Sequence, residues 1–238
     1  MNAFISSQTE GAVTTITLAR SADHNRLSNA MAGALSAALD AAAASRVIVL
    51  RADGADFCLG RDMQPPAPGS AVSAQDVLRD DAAPMIAMYA AFARCRQPLV
   101  ARVQGRAWGI GAVLAAVCDV TLATSDASFR LRELERGIPP CVAMAPLLDR
   151  MPTKALGYLV FAAAELDAAG AQAAGLVSRC IAPDALDAEL QQLLIQLLSY
   201  PDDALRAVKQ YLVSAPRNQA EPALLYGASL LANVLASR

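Results

Sequence analysis

The sequence predicts an α/β fold, and three observations carry that expectation. Short runs rich in β-branched and aliphatic residues, such as 11–18 (GAVTTITL), 47–51 (VIVLR), 98–103 (PLVARV) and 119–123 (DVTLA), read as strands. Helical spacing of apolar residues fills the intervals between them and dominates the last quarter of the chain. Two glycine-containing segments, 57–62 (FCLGRD) and 105–112 (GRAWGIGA), lie either side of a helix-like stretch and have the look of tight turns at a site.

The elements follow in order. A first strand is expected near 3–7 and a second over 11–18, where Val13 and Thr15 alternate with β-branched partners. Ser28 can cap a helix that runs to about Ala44, with Met31, Leu35, Ala38 and Leu39 at helical spacing. The continuous apolar run 47–51 before Asp53-Gly54 reads as a buried strand. Residues 64–73 hold three prolines and a glycine and are expected to form a mobile loop beside the first turn, of the kind that covers ligands. A helix over 76–95, broken near Pro84, leads to the strand 98–103, a short helix at 112–118 and the strand 119–123. From Thr153 the pattern is helical, with one strand at 176–181. The stretch 184–199 is amphipathic, its stripe formed by Leu186, Leu190, Leu193, Leu194 and Leu197, and Pro201 ends it. Two further helices are expected over 203–214 and 221–236.

At 238 residues the chain can bury a large core, and no internal repeat is visible. Hydrophobic residues make up 55%, but many are alanines that favour helix without adding bulk. The longest apolar stretch, 107–118, contains two glycines and falls short of the roughly 20 residues of a membrane helix, so no membrane association is expected. The N-terminus lacks a basic segment followed by an apolar run and a cleavage site, which points to the cytoplasm. Cys58, Cys95, Cys118, Cys141 and Cys180 are scattered, with no CxxC pair and one histidine to assist them; neither a metal site nor a disulfide framework is expected. A net charge of −2 argues against nucleic acid. The group Arg94, Arg96, Arg102 and Arg106 is either a solvated face or a meeting point for a phosphate-bearing small molecule.

Several chemistries can be set aside. Gly109-Ile-Gly111 follows a strand, but Leu114 occupies the third glycine position of a dinucleotide fingerprint. About eight residues separate Gly111 from the next strand, where a βαβ crossover needs at least about 10 to 12. There is no GxxxxGK[ST], no GxSxG elbow, and the lone His24 lies far from any serine in such an elbow. A site of backbone donors and a carboxylate remains. Two tight turns that each expose an N–H can form an oxyanion hole, which serves an enzyme that builds negative charge on a carbonyl oxygen.

On these residues the chain resembles the crotonase family, the enoyl-CoA hydratase and isomerase superfamily. Residues 24–28 (HNRLS) are similar to its N-A-L-S segment, and 57–62 (FCLGRD) to its F-x-x-G-x-D turn. The stretch from Pro98 through Asp119 resembles its second glycine block, and 174–177 (AGLV) its A-x-x-x-G-L-V signature. Lys209 stands where its late helix often carries a lysine. The resemblance implies a crotonase-like spiral of ββα units over residues 1–183 and a C-terminal helical trimerisation region over 184–238, giving a homotrimer or dimer of trimers. It implies an acyl-CoA thioester as the substrate, with coenzyme A entering as part of it and no separate cofactor. Backbone N–H groups of Leu59 and Ile110 would form the oxyanion hole. Leu59, Gly60, Arg61 and Asp62 would wrap coenzyme A, with Asp62 equally suited to cap a helix. His24 and Lys209 would meet the CoA phosphates or remain an ordinary loop residue and a surface lysine; Trp108 would line the acyl pocket or pack in the core.

One departure bears on the reaction. Family hydratases carry a glutamate three residues after the oxyanion-hole glycine and a second in a later F-x-x-P-E segment. Here the first position is Val113 and the second is Glu133, in 129–137 (FRLRELERG). Hydration uses two carboxylates to orient a water while one proton is given and another taken. A double-bond shift needs one base to take the C2 proton of a 3-enoyl thioester and return it at C4. The expected activity is therefore Δ3–Δ2 enoyl-CoA isomerisation with Glu133 as acid and base. Hydration, thioester hydrolysis and decarboxylation are alternatives, as is a CoA-binding scaffold without catalysis. Glu133 can also be a surface carboxylate paired with Arg130, Arg132 or Arg136, and Glu135 competes with it for the site.

Overall fold

The computed structural model describes residues 4–62, 73–215 and 220–236. The loop expected at 64–73 lies outside these residues except for Ser73, which caps the first turn of the helix after it.

Among the described residues nine strands form two sheets. In the larger sheet, β1 (Ile5–Glu10) pairs antiparallel with β2 (Val13–Leu18), and β3 (Val47–Ala52), β4 (Leu99–Val103), β6 (Val120–Thr124) and β9 (Arg179–Ile181) continue in parallel, in the order β1-β2-β3-β4-β6-β9. The smaller sheet joins β5 (Arg106–Trp108), β7 (Ser128–Arg130) and β8 (Leu166–Asp167). Single bridges extend it, from Leu27 to Arg61 and from Cys58 to Ala107. β2, β3, β4 and β6 each lead into a shorter segment of the second wall, and helices carry the chain back to start the next turn. The expected α/β class holds. The strands of the second wall are two or three residues long and escaped the sequence reading, because so short a run has no period to detect.

Helix α1 (Asn29–Ala41) begins where expected, with Ser28 Oγ accepting the Met31 N–H at 3.2 Å, and buries Met31, Leu35 and Leu39. The break expected at Pro84 takes a particular form. A turn α2 (Ala74–Asp76) passes through a π-helical stretch, Val77–Ala82, into α3 (Ala83–Arg94) without interruption. Pro84 has no N–H to offer the carbonyl of Asp80, and Asn29 Nδ2 takes that carbonyl instead, at 2.6 Å. Helix α4 (Ile110–Val117) is buried along its whole length. Its entry demands Gly111, since a Cβ there would stand 2.2 Å from the Cys58 carbonyl oxygen, so helix and first turn meet backbone to backbone.

Between the sheets lies the main core, with Phe57, Phe129, Leu27 and Leu114 among its buried side chains. The later helices are α5 (Cys141–Met144), α6 (Thr153–Phe161), α7 (Ala168–Ala173), α8 (Leu186–Ser199), α9 (Asp202–Ser214) and α10 (Ala220–Ala236). Within the C-terminal helical region, α8 packs directly on the core. Leu186, Leu190 and Leu194 cover the outer face of the large sheet against Val47, Val49, Val100 and Leu122, and each leucine so buried contributes about 1.5–3 kcal/mol. Among the described residues no helix is long and apolar enough to cross a membrane.

Candidate active site

The two glycine turns come together. Gly109 adopts φ 54° and ψ −126°, a conformation open to glycine, and a Cβ there would lie 3.3 Å from Gly60 Cα and 2.9 Å from Glu133 Oε1. The turns therefore abut through bare backbone, and the Glu133 carboxylate packs against the second of them. Beside this junction is a cavity of about 290 Å³. One wall comes from His24, Arg26, Leu59, Gly60 and Arg61; the other from Arg106, Trp108 and Gly109. Arg132, Glu133, Arg136 and Ile138 close it.

Glu133 is placed by the second wall. The Gly109 N–H donates to Arg130 O at 2.6 Å, tying the turn to the end of β7, and the chain then winds into a 3₁₀ turn, Glu133–Arg136. Glu133 Oε2 is buried without a hydrogen-bond partner among the described residues. Burial raises the carboxyl pKa above its usual value, against the lowering effect of nearby backbone donors and Arg136. Glu135 points into different company. Its carboxylate is held by Arg130 and by Arg132 Nε, the latter at 3.1 Å. Arg130 and Arg132 are thus spent on Glu135, while Arg136 makes no ion pair among the described residues and acts on Glu133 only through its charge. Val113, at the position of the first family glutamate, is wholly buried in the core and does not line the cavity.

The first turn holds a different donor from the one expected. The Leu59 N–H donates to His24 O at 3.1 Å and is engaged in fixing the turn, although Leu59 lines the cavity. Leu27 N–H donates to Gly60 O at 2.9 Å, and Asp62 N–H donates to Leu27 O at 3.0 Å. These two bonds bracket Arg61, so its own N–H points away from Leu27, on the side where Gly109 approaches. Among the described residues the Arg61 N–H has no acceptor. The Ile110 N–H, first in α4, has no acceptor within the helix.

Three other expected ligand contacts are arranged differently. Asp62 gives its carboxylate to Arg20, at 2.6 Å, and does not line the cavity. Lys209 is 3% exposed and bonds both oxygens of Asp119, at 2.8 and 2.7 Å, because a buried ammonium requires a partner. Arg61 lines the cavity, but its guanidinium bonds Asn29 Oδ1 at 2.8 Å and Asp81 O at 3.0 Å, which ties the first turn to α1 and to the π-helical stretch. The sequence cluster of Arg94, Arg96, Arg102 and Arg106 also disperses. Arg94 and Arg96 line a separate cavity, and Arg102 pairs with Asp187.

Asp56 is a residue the sequence reading missed. It is 5% exposed and takes Arg106 in two-pronged fashion, Nε at 2.7 Å and Nη2 at 2.8 Å, while His24 Nδ1 lies 2.7 Å from its Oδ2. The Arg106 side chain above all holds its pKa down to about 2, against burial, with help from the Arg106 N–H and His24. Trp108, lining the cavity, donates its indole N–H to Ser128 Oγ at 3.1 Å, and the guanidinium carbons of Arg106 and Arg132 each stand 5.4 Å from its ring centre. Cys58 is inert packing: burial pushes its thiol up to about 12.

Solved structures share this architecture. An enoyl-CoA hydratase of Mycobacterium smegmatis superposes with a TM-score of 0.91 at 28% identity, covering 98% of this chain and 91% of that one. A Thermobifida fusca YX chain solved in complex with acetoacetyl-CoA gives 0.86 at 26% identity, covering 99% and 96%. The fold is that of the crotonases, with a carboxylate set beside two apposed backbone turns. A curated relative, the "Probable enoyl-CoA hydratase" of Rhizobium meliloti (strain 1021), is 33% identical over 75% of this chain and 69% of its own length. The model of the family described as Enoyl-CoA hydratase/isomerase matches residues 8–237, and the chain belongs to that family.

Proposed function

We infer that the protein binds an acyl-CoA thioester and catalyses Δ3–Δ2 enoyl-CoA isomerisation through Glu133. The observation that carries this reading is a single carboxylate in the cavity, unpaired and partly buried against the second turn, with Val113 in the core. Glu133 takes the C2 proton of a 3-enoyl thioester. The thioester oxygen becomes a dienolate oxygen held by two backbone N–H groups, those of Ile110 and Arg61, the latter replacing the engaged Leu59. The same carboxyl returns the proton at C4, and the double bond moves to C2. A carboxyl raised by desolvation suits both halves of this exchange. His24, Arg26, Leu59 and Gly60 wall the side of the cavity assigned to coenzyme A. The reaction moves one proton and draws on no cofactor beyond the coenzyme A of its substrate.

The chain is also assigned a homotrimeric assembly through its last helices. Val208 and Leu212 of α9 and Leu224, Leu225 and Leu231 of α10 are all more than half exposed, an apolar surface that a second copy would cover.

Hydration is the second reading, favoured by the hydratase name of the R. meliloti relative. Incubation with matched 2-enoyl- and 3-enoyl-CoA separates the two. Positional isomers support isomerisation, and 3-hydroxyacyl-CoA from the 2-enoyl substrate promotes hydration. Tight binding with turnover of neither substrate removes both and leaves a scaffold.

A further inference from the structure

We propose that the acyl group taken by this site carries an anionic group of its own, a carboxylate remote from the thioester, and that Arg136 meets it. The inference rests on the acyl-thioester reading above and adds the substrate class. It starts from an audit of the arginines around the cavity. Arg61 is occupied by Asn29 and the Asp81 carbonyl, Arg106 by Asp56, and Arg132 by Glu135. Arg136, an exposed side chain at the mouth of the same cavity, acts on Glu133 through its charge, but among the described residues no carboxylate lies within ion-pairing distance of it. A charge in that position is poorly matched to a hydrocarbon tail. Arg132, Arg136 and Ile138 close the cavity on the side of Glu133 away from Gly109, so an aliphatic chain laid over Arg136 would strip water from an exposed guanidinium and offer nothing in return. A carboxylate offers a charge-assisted, two-pronged partner.

The anion could come from the acyl group or from the phosphates of coenzyme A, and the turn distinguishes them. Arg136 and Glu133 belong to one four-residue 3₁₀ turn, Glu133–Arg136. Glu133 must reach the acyl carbons, whereas the phosphates are a full pantetheine arm away from the thioester. An anion within reach of Arg136 therefore lies on the acyl side. Arg26 and His24, across the cavity, stand on the wall assigned to the coenzyme.

The test is calorimetric titration of the full chain with unreactive saturated thioesters of one chain length. Monoacyl and ω-carboxyacyl ligands are each prepared as coenzyme A and as pantetheine thioesters. The carboxylated ligand should bind about 10- to 100-fold more tightly in both series, as a charge-assisted bond implies. Arg136→Met should bring that ratio close to one, and Arg136→Lys should keep part of it, since a point charge lacks the fork. Equal binding of the two acyl types by the wild-type chain overturns the proposal, whatever the variants do. So does an Arg136→Met effect that weakens every coenzyme A ligand alike and spares the pantetheine series, which would place a phosphate at Arg136. Selective binding without isomerase turnover would sink the activity and leave this proposal standing; turnover without selectivity would do the reverse.

Discussion

Replacing Lys209 by methionine separates a structural lysine from a ligand-binding one. Lys209 is 3% exposed on α9, and its ammonium bonds both oxygens of Asp119, itself 10% exposed. Asp119 Oδ2 also accepts the Leu99 N–H at 2.8 Å, so the carboxylate links α9 to the start of β4 and to the exit of α4. Methionine fills similar space but leaves this carboxylate buried with one N–H in place of an ammonium. Breaking a buried pair by removing one partner costs about 3–5 kcal/mol. In a chain of this size ~4 kcal/mol corresponds to a fall in Tm of roughly 8–16 °C. The assay is thermal unfolding at a fixed protein concentration, because any assembly makes Tm depend on concentration. Lys209→Met/Asp119→Asn should recover most of the loss, since no charge is then stranded. A fall below about 2 °C in the single variant, with weaker acyl-CoA binding, would refute the reasoning and return Lys209 to a ligand site.

The other predictions concern the site. Glu133→Gln should lower isomerase turnover by roughly 10²- to 10⁴-fold, measured as diene-free conversion of 3-enoyl- to 2-enoyl-CoA. The same variant should gain stability at neutral pH. Burial raises the folded pKa of Glu133 above 4.5, so its contribution to stability is fully present below 4.5 and is lost as pH rises through the folded value. The Tm advantage of the variant should therefore appear at pH 8 and disappear at pH 4. Asp56 has the opposite sign: its pKa falls from 3.8 to about 2, so its contribution is present above 3.8 and lost as pH falls through about 2. Asp56→Asn should thus be less stable than wild type in urea titrations at pH 6, with the gap narrowing towards pH 2.5. Gly109→Ala forces a Cβ to 2.9 Å from Glu133 Oε1 at φ 54°, and the displaced carboxylate should cost about 10²-fold in kcat. Unchanged kcat in that variant would separate Glu133 from the chemistry.

Much of this site was legible because its parts are short segments with strong local signals. The strands read over 11–18 and 47–51, found at Val13–Leu18 and Val47–Ala52, the Ser28 cap and the leucine stripe of α8 each follow from residue type and local pattern. Glu133 and the two turns were identified from residues 57–62, 105–112 and 129–137. Which N–H of the first turn is free could not be read in that way. It depends on the Leu27–Arg61 bridge, a pairing of residues far apart in the sequence that consumes Gly60 O and Asp62 N and leaves the Arg61 N–H outward. Asp56 was missed, and Lys209 was read as a phosphate ligand or a surface lysine, for a related reason. Each is a charged residue whose partner, Arg106 or Asp119, is supplied by a distant turn of the spiral, and a charge in a sequence gives no sign of being buried.

The distribution of partners among the charged side chains explains how a carboxylate can act as a base in so cationic a setting. Among the described residues five arginines line the cavity together with one carboxylate, Glu133. Were any of them to pair with it, the carboxylate would be held ionised and would make a poor proton carrier, since a close cation lowers the pKa that burial raises. Two acids that play no part in the chemistry draw Arg106 and Arg132 away from it, and the pull of Arg136 is outweighed by burial. Asp56 holds Arg106 on one wall, and Glu135, two positions from Glu133, holds Arg130 and Arg132 on the other. The 3₁₀ turn makes this division possible by sending neighbouring glutamates in different directions, one to the arginines and one to the glycine backbone. Glu133 is left desolvated, with an oxygen unpaired and the bare Cα of Gly109 beside it. The charge-rich segment that makes Glu133 ambiguous as a sequence is, in the folded chain, the means by which it is kept free to exchange a proton.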